Sequence, residues 1–137
     1  PEQPKRNNMK NLLLLSTLTL SLMFSAGSWA EWTEVVESAD GNDTNYVDFD
    51  RIRKVNGLVY YWQLRDMLEP TKQGDMSYKA YSKADCETMR TMTLSLSGYD
   101  LPMAEGTAAY THTPDPEWLY APPDSVRDTT LQAVCNS

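Results

Sequence analysis

Two periodicities divide this chain. From Glu31 to Tyr99 apolar and polar residues mostly alternate, the spacing that gathers a strand's apolar residues on one side of a pleated ribbon. Glu31–Glu37 (EWTEVVE) reads as a first strand, and Ser38–Asn45 (SADGNDTN) is dense in turn formers, with Asp40-Gly41 the corner of a hairpin. Tyr46–Ile52 resumes with β-prone residues, and Asn56-Gly57 marks a second tight turn. Leu58–Leu68 puts Leu58, Tyr60, Trp62 and Leu64 on one face and Val59, Tyr61, Gln63 and Arg65 on the other. Aromatic mass on both faces suits a central strand. After a loop at Glu69–Asp75, Met76–Cys86 and Thr88–Tyr99 alternate again. In the latter Met92, Leu94 and Leu96 oppose Thr91, Thr93, Ser95 and Ser97, which predicts one apolar face.

Beyond Tyr99 the pattern loosens. Asp100–Pro123 holds five of the eight prolines, with a short strand near Thr107–His112. The period then lengthens: Val126, Thr130, Ala133 and Val134 fall on one stripe of a helix over Ser125–Val134. Ser125 followed by Asp128 gives it a capping-box-like start. Ten residues do not hold a helix in water, so packing must. The fold class is α+β: an antiparallel sheet of five or six strands, with one C-terminal helix packed on it and a single disulfide.

The chain before Glu31 has a different character. Lys10 is a short positive start, Leu12–Phe24 is apolar apart from Ser and Thr, and Ser28-Trp29-Ala30 places small residues before a cut. This is the layout of a secretory signal peptide over residues 9–30, cleaved between Ala30 and Glu31. The run is too short for a stable membrane-spanning helix, which needs about 20 apolar residues. Pro1–Asn8 precede Met9 and read as an upstream extension. A lipoprotein signal would end in a cysteine, and none occurs before Cys86, so anchoring by lipid is not expected. The expected location is the periplasm or the medium, and the working domain is residues 31–137.

Charge and cysteines narrow the classes. The whole chain carries −7; Lys5, Arg6 and Lys10 against Glu2 give the leader a net +2, so residues 31–137 carry about −9. Nucleic-acid binding needs a basic footprint that such a domain lacks. The 107 remaining residues make one domain, without repeats or a linker. Cys86 and Cys135 are the two cysteines, and an exported chain with an even count pairs them in a disulfide. No C-x-x-C is present, and a single histidine cannot complete a zinc site.

Signals for chemistry are thin. His112, the one histidine, sits in a Pro-rich stretch with no nucleophile-elbow pattern, and reads as solvated. Asp40, Asn42, Asp43, Asp48 and Asp50 are rich in oxygen, but Asn45 stands where an EF-hand loop needs Gly. Turn chemistry accounts for the first three, and an exposed strand face for Asp48 and Asp50. Asn42-Asp43-Thr44 matches the N-glycosylation sequon, which matters only in a eukaryotic host. No pair of carboxylates is singled out for glycosidase work, and no Gly-rich phosphate loop occurs. No catalytic residue, cofactor or metal is expected, and a small hydrolase survives only as a check. One pattern has content: Lys79, Tyr81 and Lys83 alternate on one strand face, with Lys72 in the preceding loop and Arg90 beyond Cys86. Two readings stand, a surface for acidic protein segments or polyanions, and an exposed face or edge strand that uses lysine against aggregation.

The order of several short motifs resembles the surface-adhesin protein E family of Gram-negative bacteria. They are Trp32; Tyr46-Val47-Asp48 running into Arg51-Ile52 and Gly57; Val59-Tyr60-Tyr61-Trp62; Ser77-Tyr78-Lys79 and Asp85-Cys86; then Trp118, Pro122-Pro123-Asp124-Ser125 and Val134-Cys135. The resemblance implies a small antiparallel sheet with a C-terminal helix, a Cys86–Cys135 bond and no enzyme activity. It also implies adhesion to extracellular-matrix or other proteins, with room for a homodimer. The rival is a periplasmic structural or assembly factor without a host ligand.

Overall fold

In the computed structural model, which describes residues 30–137, the alternating stretches form one antiparallel sheet. The leader over residues 9–29 and the extension ahead of it lie outside the described residues. The strands are β1 (Thr33–Glu37), β2 (Asp43–Val55), β3 (Leu58–Met67), β4 (Ser77–Asp85), β5 (Arg90–Tyr99), β6 (Tyr110–His112) and β7 (Leu119–Tyr120), and the helix is α1 (Val126–Cys135). The sheet runs β1-β2-β3-β4-β5-β6 in chain order, with β7 pairing on β5 beside β6. Six strands make the continuous path. The seventh, two residues long, offers no periodicity for the sequence to show.

Turn chemistry sets the hairpins. Asn56 (φ 51°) and Gly57 (φ 79°) both take left-handed backbone between β2 and β3, as a two-residue turn of primed type requires. Between β1 and β2, Asp40 accepts from the Ser38 hydroxyl at 2.7 Å and from the Asn42 backbone at 3.1 Å. These bonds, that of Ser38 first, hold the Asp40 carboxyl below its ordinary value.

Paired residues in an antiparallel sheet point to the same side. On one side Val47, Val59, Tyr61 and Ala84 meet Leu131 and Val134 of α1, forming a core whose members are nearly all closed to solvent. Ser125 caps α1, its hydroxyl accepting from the Asp128 backbone at 3.1 Å, and Asp128 in turn accepts from the Asp124 backbone at 3.1 Å. Leu131, absent from the stripe read in the sequence, and Val134, which belongs to it, are the residues that α1 buries completely. Cys86–Cys135 ties the end of α1 to the end of β4, with Cα atoms 5.7 Å apart.

Two irregularities place side chains where period two would not. The β2–β3 register shifts between Asp48 and Arg53, leaving Phe49–Ile52 as a bulge. Phe49 and Ile52 pack toward the core, while Arg51 reaches back to Asp48 at 3.1 Å. Asp48 is 1% exposed, so the exposed face expected for it is corrected: its carboxylate is closed to solvent beside the register shift, and its charge is met by Arg51. The β4–β5 register slips between Tyr81 and Ser82. Met92 therefore pairs with Lys83 and Leu96 with Ala80, on opposite sides of the sheet. The single apolar face predicted for Met92, Leu94 and Leu96 is divided by that bulge.

The side away from α1 carries its own cover. A short 3-10 turn, Pro102–Ala104, lies over β3 and β4. Met103 donates its N–H to the Asp66 carboxylate at 2.6 Å, and Ser77 Oγ donates to the Leu101 carbonyl at 2.6 Å while accepting from the Ala104 N–H at 2.9 Å. These bonds hold Met103 (φ 57°) and Ala104 (φ 52°) in left-handed backbone, a conformation costly to non-glycine residues.

A cationic and aromatic sheet face with a cleft behind it

The face opposite α1 gathers residues from three strands, β3, β4 and β5, and the segment before β7. Lys79, Tyr81 and Lys83 project from β4, opposite Leu64, Trp62 and Tyr60 of β3. Trp62 and Tyr81 have ring centroids 4.9 Å apart, and Tyr60 and Tyr81 6.2 Å apart. The Lys79 ammonium lies 5.6 Å from the Trp62 ring and 5.4 Å from that of Tyr99. Lys83 stands 5.2 Å over Trp118, and the Arg90 guanidinium lies 4.6 Å over the same ring. Each such contact is worth about 0.5–1 kcal/mol where solvent reaches it. Alternation along β4 produces the cationic row, and cross-strand pairing supplies the rings.

Of the cations singled out by sequence, Lys79, Lys83 and Arg90 come together with Tyr81, whereas Lys72 stands exposed in the β3–β4 loop. Strand β4 pairs with β3 on one side and β5 on the other, so its lysines do not guard a sheet edge. Arg90 is also bonded to Asp85 at 3.2 Å. The Thr88 hydroxyl, with the backbone N–H groups of Thr88 and Glu87 and the Arg90 side chain, holds the Asp85 carboxyl below its ordinary value. The sequence reading missed Trp62, Tyr60 and Trp118 as parts of this face. Trp62 and Tyr60 were legible as neighbours of a paired strand; Trp118 was not, because its place depends on β7.

The oxygen-rich residues near the first hairpin have separate partners. Asp40 closes its turn, Asp43 is ion-paired with Arg65, Asp48 with Arg51, and Asp50 is exposed. Among the described residues no group of three His, Cys, Asp or Glu side chains gathers to hold a metal ion. His112 lies exposed on β6, stacked on Tyr110 at 6.1 Å.

Tyr110 leads to a buried carboxylate. Asp75, 3% exposed, accepts hydrogen bonds from the hydroxyls of Tyr78 at 3.1 Å and Tyr110 at 3.2 Å, and so ties β6 to the β3–β4 loop. Gly98 makes this possible: a Cβ there would stand 2.5 Å from the Tyr110 ring. Desolvation, then the hydrogen bond to Asp75, pushes the Tyr110 phenol up to about 12. Burial likewise raises the phenols of Tyr61 and Tyr46. The fold favours the protonated forms, while the unfolded chain releases these protons near pH 10. Stability from these groups is therefore complete below pH 10 and is lost as pH climbs from 10 towards 12. We expect the melting temperature to fall steeply across that window, and Tyr110→Phe to flatten part of the slope. Parallel curves for parent and variant in a pH series of melts would contradict this.

On the α1 side, the part of the sheet that the helix leaves open forms a cleft of about 430 Å³, bounded by β3, β4, β5 and the first turns of α1. It contains Arg65 and Arg127, neither singled out from the sequence.

Fold and surface together define a small α+β domain, with a helix stapled to one sheet face and cations among aromatic rings on the other. The chain belongs to the surface-adhesin protein E family, whose pattern matches residues 32–136. It is similar in fold to structures of Haemophilus influenzae protein E. One crystal form shares 17% identity over 74% of this chain and 86% of that one, with a TM-score of 0.58. A second structure shares 15% identity over 79% and 86% of the two chains, with the same TM-score. No match was found among curated proteins. Among the described residues no helix is long and apolar enough to cross a membrane.

Proposed function

We propose that this protein is an exported, non-catalytic binding module of the bacterial envelope, adhesin-like, which contacts protein ligands through the sheet face opposite α1. Export follows from the leader over residues 9–30, with cleavage after Ala30 leaving Glu31 just ahead of β1. The working location is the periplasm or the medium. One observation carries the reading: in a domain of about −9, Lys79, Lys83 and Arg90 are gathered on one sheet face among the rings of Trp62, Tyr81 and Trp118. Aromatic residues and arginine are what protein interfaces concentrate. Family membership supports adhesion, with an extracellular-matrix or envelope protein as partner and a homodimer as one form of the binder.

The test is charge reversal. Lys79→Glu/Lys83→Glu should weaken binding to immobilised matrix proteins at least about tenfold, and high salt should weaken the parent in the same direction. Parent-like binding by a folded double variant would end the assignment to this face. A second reading has support from the same contacts. Both ammonium groups already lie over rings of their own chain, as they would in a periplasmic structural or assembly factor that has no host ligand.

A further inference from the structure

We propose that the cleft beside α1 binds a carboxylated sugar. Its volume, about 430 Å³, lies at the small end of the range for small-molecule sites. No carboxylate lines it, although acidic residues outnumber basic ones 18 to 9 over residues 31–137. Instead Arg65 enters from β3 and Arg127 from the first turn of α1. Asp43 is ion-paired with Arg65, so the charge left for a ligand is that of Arg127, which in so acidic a domain favours an anion.

Hydrogen-bond accounting sharpens the class. Arg127 donates from one nitrogen to the Tyr120 carbonyl at 3.2 Å, and a guanidinium has five N–H donors in a planar fork. Arg65 directs Nε and one terminal nitrogen to a single oxygen of Asp43, which leaves its other terminal nitrogen to donate. Gln63 donates to Ser82 at 3.3 Å, and its carbonyl oxygen is left to accept. Tyr78 donates to Asp75, so its oxygen also accepts. Leu96, Leu119 and Val126 give the cleft apolar wall. A pyranose ring with a carboxylate answers all three sets: its acid meets a guanidinium, its hydroxyls meet the amide and phenol oxygens, and its C–H face meets the aliphatic wall. A hydrocarbon ligand would strand these polar groups without water, and a neutral sugar would leave the charge of Arg127 unanswered.

Two sources offer this chemistry, host glycans ending in sialic or uronic acids, and the polysaccharide of the bacterium's own envelope. The site lies on the opposite side of the sheet from the lysine row, so its test is separate from that of the proposed function. The exported protein is titrated, by nitrogen-edited NMR, with N-acetylneuraminate, glucuronate, galacturonate and 3-deoxy-octulosonate, and with glucose and N-acetylglucosamine as neutral controls. At least one acid sugar should shift the amides of Ala80, Thr93 and Leu119 saturably, and neutral sugars should bind at least about tenfold more weakly. A preference for N-acetylneuraminate supports the host source; a preference for the octulosonate supports the envelope. Arg127→Gln should weaken binding about tenfold, the loss of a charged hydrogen bond, with little change in melting temperature. Thr93→Tyr should close the cleft, and Lys79→Glu/Lys83→Glu should leave sugar binding intact. Absence of saturable shifts with every acid sugar, equal binding of neutral sugars, or an unaffected Arg127→Gln variant overturns the proposal.

Discussion

Replacing Cys86 and Cys135 with alanine should cost the domain about 4 kcal/mol, the chain-entropy value for a loop of about 50 residues. The bridge spans a sequence separation of 49, so without it the unfolded chain regains the freedom of nearly half the domain. The folded state suffers in one place. A ten-residue helix is marginal alone, and α1 supplies Leu131 and Val134 to the core over Val47, Val59 and Tyr61. Lys54 also reaches the Ser137 carbonyl at the same end, but an exposed contact of that kind cannot replace a covalent one. Against the 5–15 kcal/mol of a typical domain, the loss is large. Denaturant melts of the oxidised parent, the reduced parent and the double variant would show it. A difference below 1 kcal/mol between the oxidised parent and the variant would mean that packing alone seats the helix.

The second large effect is expected from Leu131→Ala. Leu131 is fully buried, and removing its branched end leaves a cavity between α1 and the sheet. Such truncations cost about 2–5 kcal/mol. We expect about 3 kcal/mol here, with a melting temperature lower by roughly 15 °C for a domain of this size. Exposed Gln132→Ala, one residue away, should stay within about 0.5 kcal/mol. The helix and the disulfide share one docking event, so the two losses should not add. If Leu131→Ala proved as mild as the surface control, the core described above would be wrongly placed.

Local chemistry was legible where it acts on adjacent residues. Asn56-Gly57 announced its turn because few pairs accept left-handed backbone, and Ser125 announced the start of α1. The alternation of Tyr60, Trp62, Tyr61 and Val59 disclosed a strand buried on both sides. What escaped was set by pairing across the sheet. Nothing in Thr88–Tyr99 signals the slip that sends Met92 and Leu96 to opposite faces, because the bulge is a property of two strands. Asp48 read as an exposed strand residue because the register shift over Phe49–Ile52 has no local signature. The cationic row was visible in one strand, but the ring over Lys83 and Arg90 comes from Trp118, beyond three prolines and a loop. Arg65 and Arg127 lie 62 positions apart in the chain, and only the topology makes them neighbours of one cleft.

The sheet's two margins bear on how copies of this protein can meet. Beyond β5 the border is divided into β6 and β7, with Pro114 and Pro116 between them, and proline has no N–H to offer a neighbour. At the other margin of the described sheet, β1 has five residues, a bulge between Glu34 and Val36, and glutamates at 34 and 37. Short, kinked and charged borders are poor templates for strand addition. Molecules crowded together at high local density are thereby discouraged from zipping into fibres, and association is channelled to the broad surfaces, where side chains decide which partners are accepted.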